Sequence, residues 1–228
     1  MTTVIFPAAG ASRRMGTGTN KIFLELLGET ILIRTLKTFS QSARIDFLIV
    51  VTGAGEVDAV KKILDSTPNL KPYVVTAGGS ERQYSIANGL KFVPAETEII
   101  LVHDAARPLI NLEMIEQVID AAENFGGAIA AVPEKNTIKI IDSEGFVKST
   151  PPRADLVAVQ TPQGFQKEIL LRAYAQAEKD NFLGTDDASL VERIGGKVKI
   201  VPSSYKNIKV TTPEDIQIAE SFLRSENL

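Results

Sequence analysis

Hydrophobic residues along the chain follow two alternating rhythms. Apolar, β-branched runs recur as TVIF (3–6), DFLIVV (46–51), PYVVT (72–76), EIILVH (98–103), GAIAAV (127–132), KVKIV (197–201) and NIKVT (207–211). Between many of them the apolar positions lie three and four apart. Val57, Val60 and Leu64 do so, as do Ile115, Val118, Ile119 and Ala122. Leu170, Ala173, Tyr174 and Ala177 repeat the spacing, and so do Ile216, Ala219, Phe222 and Leu223. The first rhythm predicts strands and the second predicts amphipathic helices. Strands alternating with helices give an α/β fold with a mostly parallel sheet, because each crossover carries a helix back across it. Several runs are apolar on both faces, which requires helices covering both sides.

Helix boundaries are also legible. In TPED (212–215), Thr212 is placed as N-cap, Pro213 at the first helical position, and two carboxylates in the first turn. Asn111 is expected to cap the helix that holds Ile115. GTDDASLVERIGG (184–196) is expected to be capped at Thr185 or Asp186 and stopped at Gly195.

One segment breaks the rhythm. Residues 133–159, PEKNTIKIIDSEGFVKSTPPRADLVAV, carry no helical period. Thr137–Ile141 and Phe146–Thr150 alternate or are β-branched, and DSEG between them reads as a turn. The expectation is a protruding β-hairpin arm over residues 134–156, too long for a common connection. An isolated hairpin is marginal in water. The arm is therefore expected to pack on a second copy of the chain, giving a homodimer. Lys139 and Lys148 read as guards of its strand edges.

Composition narrows the classes. The length of 228 residues suits a single domain, 1–228, with the arm inside it. The absence of Cys excludes disulfides and thiolate metal sites. No apolar run approaches a membrane span, and MTTVIFPAAG carries no cationic leader, so the expectation is a cytoplasmic protein without membrane contact. A net charge of −3 gives no general nucleic-acid surface. Any anion must be held by a local cluster.

Such a cluster stands in FPAAGASRRMGTGTNKIFLELLG (6–28). A strand, a small-residue loop over 7–20 and a helix are expected in that order. Ala8, Ala9 and Gly10 allow backbone N–H groups to approach a phosphate, and Arg13, Arg14 and Lys21 add charge. Of the two Arg, Arg14 is favoured as the ligand. The P-loop pattern is absent, and G-x-G-x-x-G fails because Lys21 follows Gly16 and Gly18. Spacing alone leaves a phosphate loop and a flexible surface turn equally open, and residues 15–20 are expected to be mobile when empty. Two further stretches follow predicted strands: GGSERQYSIANGL (78–90), with Arg82 and Ser85, and HDAARP (103–108). Ligands of parallel sheets sit at the carboxyl ends of strands, so residues 7–21, 78–85 and 103–107 should converge there. Lys209, in or near the last predicted strand, should join them. His103 reads as structural, and Asp186 and Asp187 as helix-capping residues rather than metal ligands.

PAAGASRRMG…NK, GGSERQYSIANGL, HDAARP, TPQGF, GTDDASLVE and KVTTPED stand in one order and spacing. In this the chain resembles the 2-C-methyl-D-erythritol 4-phosphate cytidylyltransferases from residue 4 to about 220. Ribitol-5-phosphate cytidylyltransferases are similar too. The resemblance implies a Rossmann-like nucleotidyltransferase fold. It also implies in-line attack of a polyol phosphate on the α-phosphorus of CTP, releasing pyrophosphate, in the non-mevalonate route to isoprenoid precursors. A phosphate monoester is largely dianionic at pH 7 and needs no general base. That suits a chain with one His.

The resemblance also implies roles. Arg14, Lys21 and Lys209 would be catalytic, gathered at the triphosphate. Pro7, Ala8, Ala9, Gly10, Gly79, Arg82, Ser85 and Ala105 would bind the nucleotide. Asp104, Arg107, Thr137, Arg153, Thr161 and Thr185 would face the sugar phosphate, with Asp104 also helping to hold Mg2+. Thr137 and Arg153, on the arm, would serve the neighbouring subunit. The family usually has Asp where this chain has Asn136, which touches the detail of the arm contact. The reading from another class is a module that holds CTP without turnover. The charge gathered at the α-phosphate argues against it.

Overall fold

The structure is a computed structural model that describes residues 1–10 and 20–226. The expectations for Arg13, Arg14 and the mobility of residues 15–19 lie outside the described residues. In chain order the elements begin β1 (Thr2–Pro7), β2 (Glu25–Leu26), β3 (Glu29–Thr30), α1 (Ile31–Gln41), β4 (Phe47–Thr52) and α2 (Val57–Asp65). They continue β5 (Tyr73–Ala77), α3 (Arg82–Leu90), β6 (Ile99–Val102), α4 (Leu112–Phe125), β7 (Gly127–Pro133), β8 (Ile140–Ile141) and β9 (Val147–Ser149). The last are β10 (Val157–Gln166), α5 (Lys167–Lys179), α6 (Asp187–Arg193), β11 (Lys199–Pro202) and α7 (Pro213–Glu226).

Seven strands form one sheet in the order β11-β7-β10-β6-β1-β4-β5. All neighbours are parallel except those of β10, which runs antiparallel to β6 and β7. Alternation along the strands assigns the two faces. Val4, Phe6, Leu48, Val50 and Leu101 pack with Leu36 and Phe39 of α1, Val60 of α2 and Ile115 and Ile119 of α4. Ile5, Ile49, Val51, Ile100 and Val102 face the other way, onto Ile86 of α3, Leu170 and Ala173 of α5 and Val191 of α6. The sheet is thus covered on both sides, as the two-faced apolar runs require.

Every predicted run but the last is a strand. Residues 207–210 form no regular element and pair with no strand, and Val210 N–H donates to Ala106 O at 2.8 Å. Val210 is apolar and fully buried against α1 and α7, which made its segment look like a strand. β10 escaped prediction because Pro162 and Gly164 interrupt it, both weak strand residues. Its register slips between Val159 and Gln163, a bulge that turns Thr161 inward.

The helix expected straight after the opening loop begins only at Ile31. Before it, Lys21–Phe23 make one 3-10 turn and β2 and β3 form a small hairpin. Its two-residue turn is Leu27-Gly28, with φ of 49° and 81°. Positive φ at both central positions matches the strand twist and halts the helical pattern of IFLELL.

Asn111 Oδ1 accepts from Met114 N at 2.9 Å. Asp186 rather than Thr185 caps α6, and the helix ends ahead of Gly195. Asp215 reaches back to the Thr212 N–H at 2.8 Å, so a carboxylate closes the first turn of α7. The arm is a hairpin of shorter strands than expected, β8 and β9, turning at Asp142–Gly145.

Candidate active site

The chain runs from β1 to β4 and β5 on one side, then returns beside β1 for β6. Loops leaving β1 and β6 therefore part in opposite directions, and a crevice opens at the carboxyl ends of these strands. A cleft of about 540 Å3 occupies this place. Pro7, Ala8, Ala9, Gly10, Lys21, Gly79, Arg82, Ser85, Asp104 and Lys209 all line it, with Asn20, Ser80, Glu81 and Thr211. Three stretches far apart in sequence thus converge as expected.

Short-range chemistry shapes the walls. Asn20 Nδ2 donates to Ala8 O at 2.8 Å and to Glu56 Oε2 at 3.0 Å, tying together the two ends of the opening loop. Glu56 Oε2 also accepts from Thr52 Oγ1 at 2.7 Å and Gly53 N at 3.1 Å. Lys21 is thereby fixed at the neck. Neither Asn20 nor Glu56 was assigned a role from sequence, although Asn20 stands in the NK motif. On the opposite wall, Ser85 Oγ accepts from Gly79 N at 3.1 Å and donates to Glu81 O at 3.0 Å, holding the turn into α3.

Gly78 sits where the two turns touch. A Cβ there would lie 2.7 Å from Ala9 Cβ and 2.7 Å from Ser85 Oγ. Gly78→Ala is expected to destabilise the protein by about 1–3 kcal/mol in urea denaturation. Gly55→Ala is the control: among the described residues a Cβ at Gly55 meets nothing within 4 Å, so its midpoint should not fall. Equal midpoints for both variants would show that the turns are not packed this closely.

Asp104 is the electrostatic centre. It is 6% exposed and enclosed by cations. Lys209 Nζ lies 2.8 Å from its Oδ2, Arg82 Nε 3.3 Å from its Oδ1, and Arg107 Nε 3.7 Å from its Oδ2. Burial pushes its pKa up, but Lys209, Arg82 and Arg107 outweigh burial and hold it well below the usual carboxylate range. Both oxygens already face positive charge. Among the described residues no group of three His, Cys, Asp or Glu is placed to hold a metal. This donor set does not fit a divalent cation held by the protein at Asp104, because the ion would have to displace Lys209 against two guanidinium groups.

The remaining expected residues separate into braces and outlying positions. Thr161 Oγ1 accepts from Asp104 N at 3.1 Å and contacts His103 Nδ1 at 3.1 Å, beneath the cleft floor. Ala105 is buried, with its carbonyl accepting from Thr35 Oγ1 at 2.9 Å, while Ala106 lines the cleft in its place. Arg107 Nη1 donates to Asn207 O at 2.7 Å, which ties the segment of Lys209 to the loop of Asp104. Thr185 is exposed in the loop before α6. Thr137 and Arg153 lie exposed on the arm, away from the cleft lining, and Arg153 Nη1 donates to Lys135 O at 3.1 Å. The sequence places Asp187 as a helix-capping residue. Instead it is fully buried, 2.8 Å from Arg82 Nη1.

His103 is structural, as expected. It is fully buried, with Nε2 3.1 Å from Arg107 O, and burial pushes its pKa down to about 3. Unfolded, the ring takes a proton near pH 6.5, whereas folded it stays neutral. The stability it confers is therefore complete above about pH 6.5 and falls below it, by up to about 1.4 kcal/mol per pH unit. As the only His, it gives a single ring C2–H resonance, which is expected not to shift between pH 7.5 and 5. A midpoint near 6.5 in the native protein would contradict this.

The profile of the 2-C-methyl-D-erythritol 4-phosphate cytidylyltransferase (IspD) family matches residues 2–225. A protein of that name from Bacillus mycoides is 47% identical over 223 residues, covering 98% of this chain and 98% of its own. One from Caldanaerobacter subterraneus is 44% identical over 97% of this chain and 98% of its own. The crystal structure of 4-diphosphocytidyl-2C-methyl-D-erythritol synthase from Anaerococcus prevotii superposes with a TM-score of 0.88 at 33% identity, covering 98% of each chain. Sequence, sheet order and cleft agree: the chain belongs to the 2-C-methyl-D-erythritol 4-phosphate cytidylyltransferase family.

Proposed function

We propose that the chain transfers the cytidylyl group of CTP to 2-C-methyl-D-erythritol 4-phosphate, giving 4-diphosphocytidyl-2-C-methyl-D-erythritol and pyrophosphate. The observation that carries this is the family match over residues 2–225, with Lys21 and Lys209 facing one cleft at the carboxyl edge of the sheet. An oxygen of the substrate phosphate attacks the α-phosphorus in line. A new P–O bond forms there as the bond to the β-phosphate breaks and pyrophosphate leaves. The dianionic nucleophile needs no proton removed, so the task is to bring two polyanions together and to hold the charge that develops. Lys21, Lys209 and Arg14 supply positive charge at the α-phosphate. Pro7 to Gly10 offer backbone to the triphosphate, and Gly79, Arg82 and Ser85 face the base and ribose. Arg107, Thr161 and Thr185 support the sugar-phosphate side, and Asp104 accepts from its hydroxyl groups while holding Lys209 in place.

Mg2+ would enter this reading together with CTP and would lower the charge of its phosphates, with Asp104 left to Lys209 and the two guanidinium groups. The arm joins two chains: Ile141, Phe146 and Val147 on it are 60%, 67% and 60% exposed, the kind of apolar surface that a partner covers. Thr137 and Arg153 then reach the partner's cleft. Among the described residues no helix is long and apolar enough to cross a membrane, in keeping with work in the cytoplasm.

The test is pyrophosphate release from CTP, Mg2+ and a panel of polyol phosphates. Turnover is expected with the methylerythritol compound and not with UTP or GTP in place of CTP. Faster turnover of ribitol 5-phosphate would overturn the substrate. Tight CTP binding without release from any acceptor would overturn the reaction.

A further inference from the structure

Asp187 poses a problem that neither capping nor packing explains. It has no solvent exposure, and the neighbours of α6 on the sheet face are apolar. A buried carboxylate does not improve on an apolar side chain for stability, and it is tolerated only when paired. Its partners are specific. Arg82 Nη1 lies 2.8 Å from Oδ2, and the Tyr174 hydroxyl donates to Oδ1 at 2.5 Å. Neither Asp187 nor Tyr174 lines the cleft. Arg82 does, with Nε 3.3 Å from Asp104. Its guanidinium is therefore gripped at two ends, by Asp104 from the loop after β6 and by Asp187 from the start of α6. Two anchors from different elements hold the group in place, Asp104 through the Nε–H bond and Asp187 through its charge, since Asp187 Oδ2 sits at ion-pair distance without hydrogen-bond geometry.

The surroundings hold the second anchor rigid. Asp186, the cap of α6, accepts from Gln163 Nε2 at 2.8 Å, and Gln163 Oε1 accepts from Ala188 N at 3.1 Å. Beside Arg82, Gln83 Oε1 accepts from Gly184 N at 2.8 Å and its Nε2 donates to Phe182 O at 3.0 Å. The loop that carries Thr185 is thus tied to the same turn of α3 as Arg82. Burial and the neighbouring Asp187 raise the Tyr174 pKa well above its ordinary value, so its hydroxyl remains a donor throughout the assay range.

We propose that Asp187, oriented by Tyr174, is a positioning residue that sets the Arg82 guanidinium at the nucleotide end of the cleft. This rests on the cytidylyltransferase reading for what Arg82 touches, though not for how it is held. Tyr174→Phe keeps the ring and removes one donor. It is expected to raise the KM for CTP about 3- to 10-fold with kcat within about twofold. Asp187→Asn is expected to raise it further, about 10- to 100-fold. Because Asp187 acts through Arg82, the double variant Arg82→Ala/Asp187→Asn should be no worse than Arg82→Ala alone. A purely structural Asp187 would instead lower thermal stability at unchanged KM, or its loss would multiply with that of Arg82. If Asp187→Asn fails to fold, Tyr174→Phe and its own cycle with Arg82→Ala answer the same question.

A readout independent of turnover separates this from the function itself. The Arg82 Nε–H resonance of the wild-type protein, free of nucleotide, is expected to be protected from exchange and to shift or broaden in Tyr174→Phe. An unchanged resonance with an unchanged KM for CTP overturns the proposal. A shifted resonance in a chain that releases no pyrophosphate would sustain the positioning and refute the activity.

Discussion

Lys209→Ala is expected to lower kcat by about 10²- to 10³-fold in a protein that remains folded, the loss that follows removal of one preorganised charge from a developing anion. The backbone that presents Lys209 does not depend on its side chain. Val210 is fully buried and its N–H donates to Ala106 O at 2.8 Å. Asn207 Nδ2 donates to Thr161 O at 2.9 Å and to Gln160 Oε1 at 3.0 Å. The side chain itself is 37% exposed, so truncation opens no sealed cavity. Asp104 keeps Arg82 and Arg107, so no buried carboxylate is left without a cation. An interaction that strengthens as charge grows on the α-phosphate lowers kcat more than it raises KM. Lys209→Arg should recover little, because the planar fork cannot place one compact charge where the ammonium sits. Single-turnover rates with saturating CTP and a thermal melt check both halves. A loss below about fivefold would remove Lys209 from the chemistry.

Much of this arrangement is legible in the sequence. Two-faced apolar runs such as FLIVV gave central parallel strands, because only a strand covered on both sides is apolar at successive positions. The convergence of Ala8, Gly79 and Asp104 followed from one rule, that loops at strand carboxyl ends share an edge. What stayed hidden has physical causes. β10 carries Pro162 and Gly164 and a bulge, so its local signal argued against a strand that tertiary pairing nevertheless imposes. NIKVT carries a strand's composition but serves as a loop, because burial of Val210, not ladder pairing, dictated the residue. Asp187 looked like a second capping carboxylate beside Asp186. Its partners lie 105 and 13 positions away, at Arg82 and Tyr174, and no local pattern marks them. Glu56 is hidden for the same reason, since its hold on Asn20 spans 36 positions.

The arm yields the second large effect. Lys21→Ala and Arg153→Ala are each expected to leave little activity in separate preparations, yet a mixture refolded or co-expressed in equal amounts should regain about a quarter of the wild-type rate. The arithmetic follows from shared sites. Random pairing makes half of the dimers mixed. In each mixed dimer, one cleft lacks Lys21 and receives the arm that lacks Arg153, while the other has both residues. One site in two, in half of the dimers, is therefore whole. The geometry motivates the experiment: Lys21 lines the cleft, whereas Arg153 lies exposed on the arm outside the lining, its Nη1 donating to Lys135 O at 3.1 Å. If Arg153 acted within its own chain, mixing would give only the average of two inactive enzymes. Differently tagged chains, purified in tandem, isolate the mixed dimer, which should then run at about half the wild-type rate. Mixed dimers that form but stay inactive would place Arg153 at its own chain's site or at none.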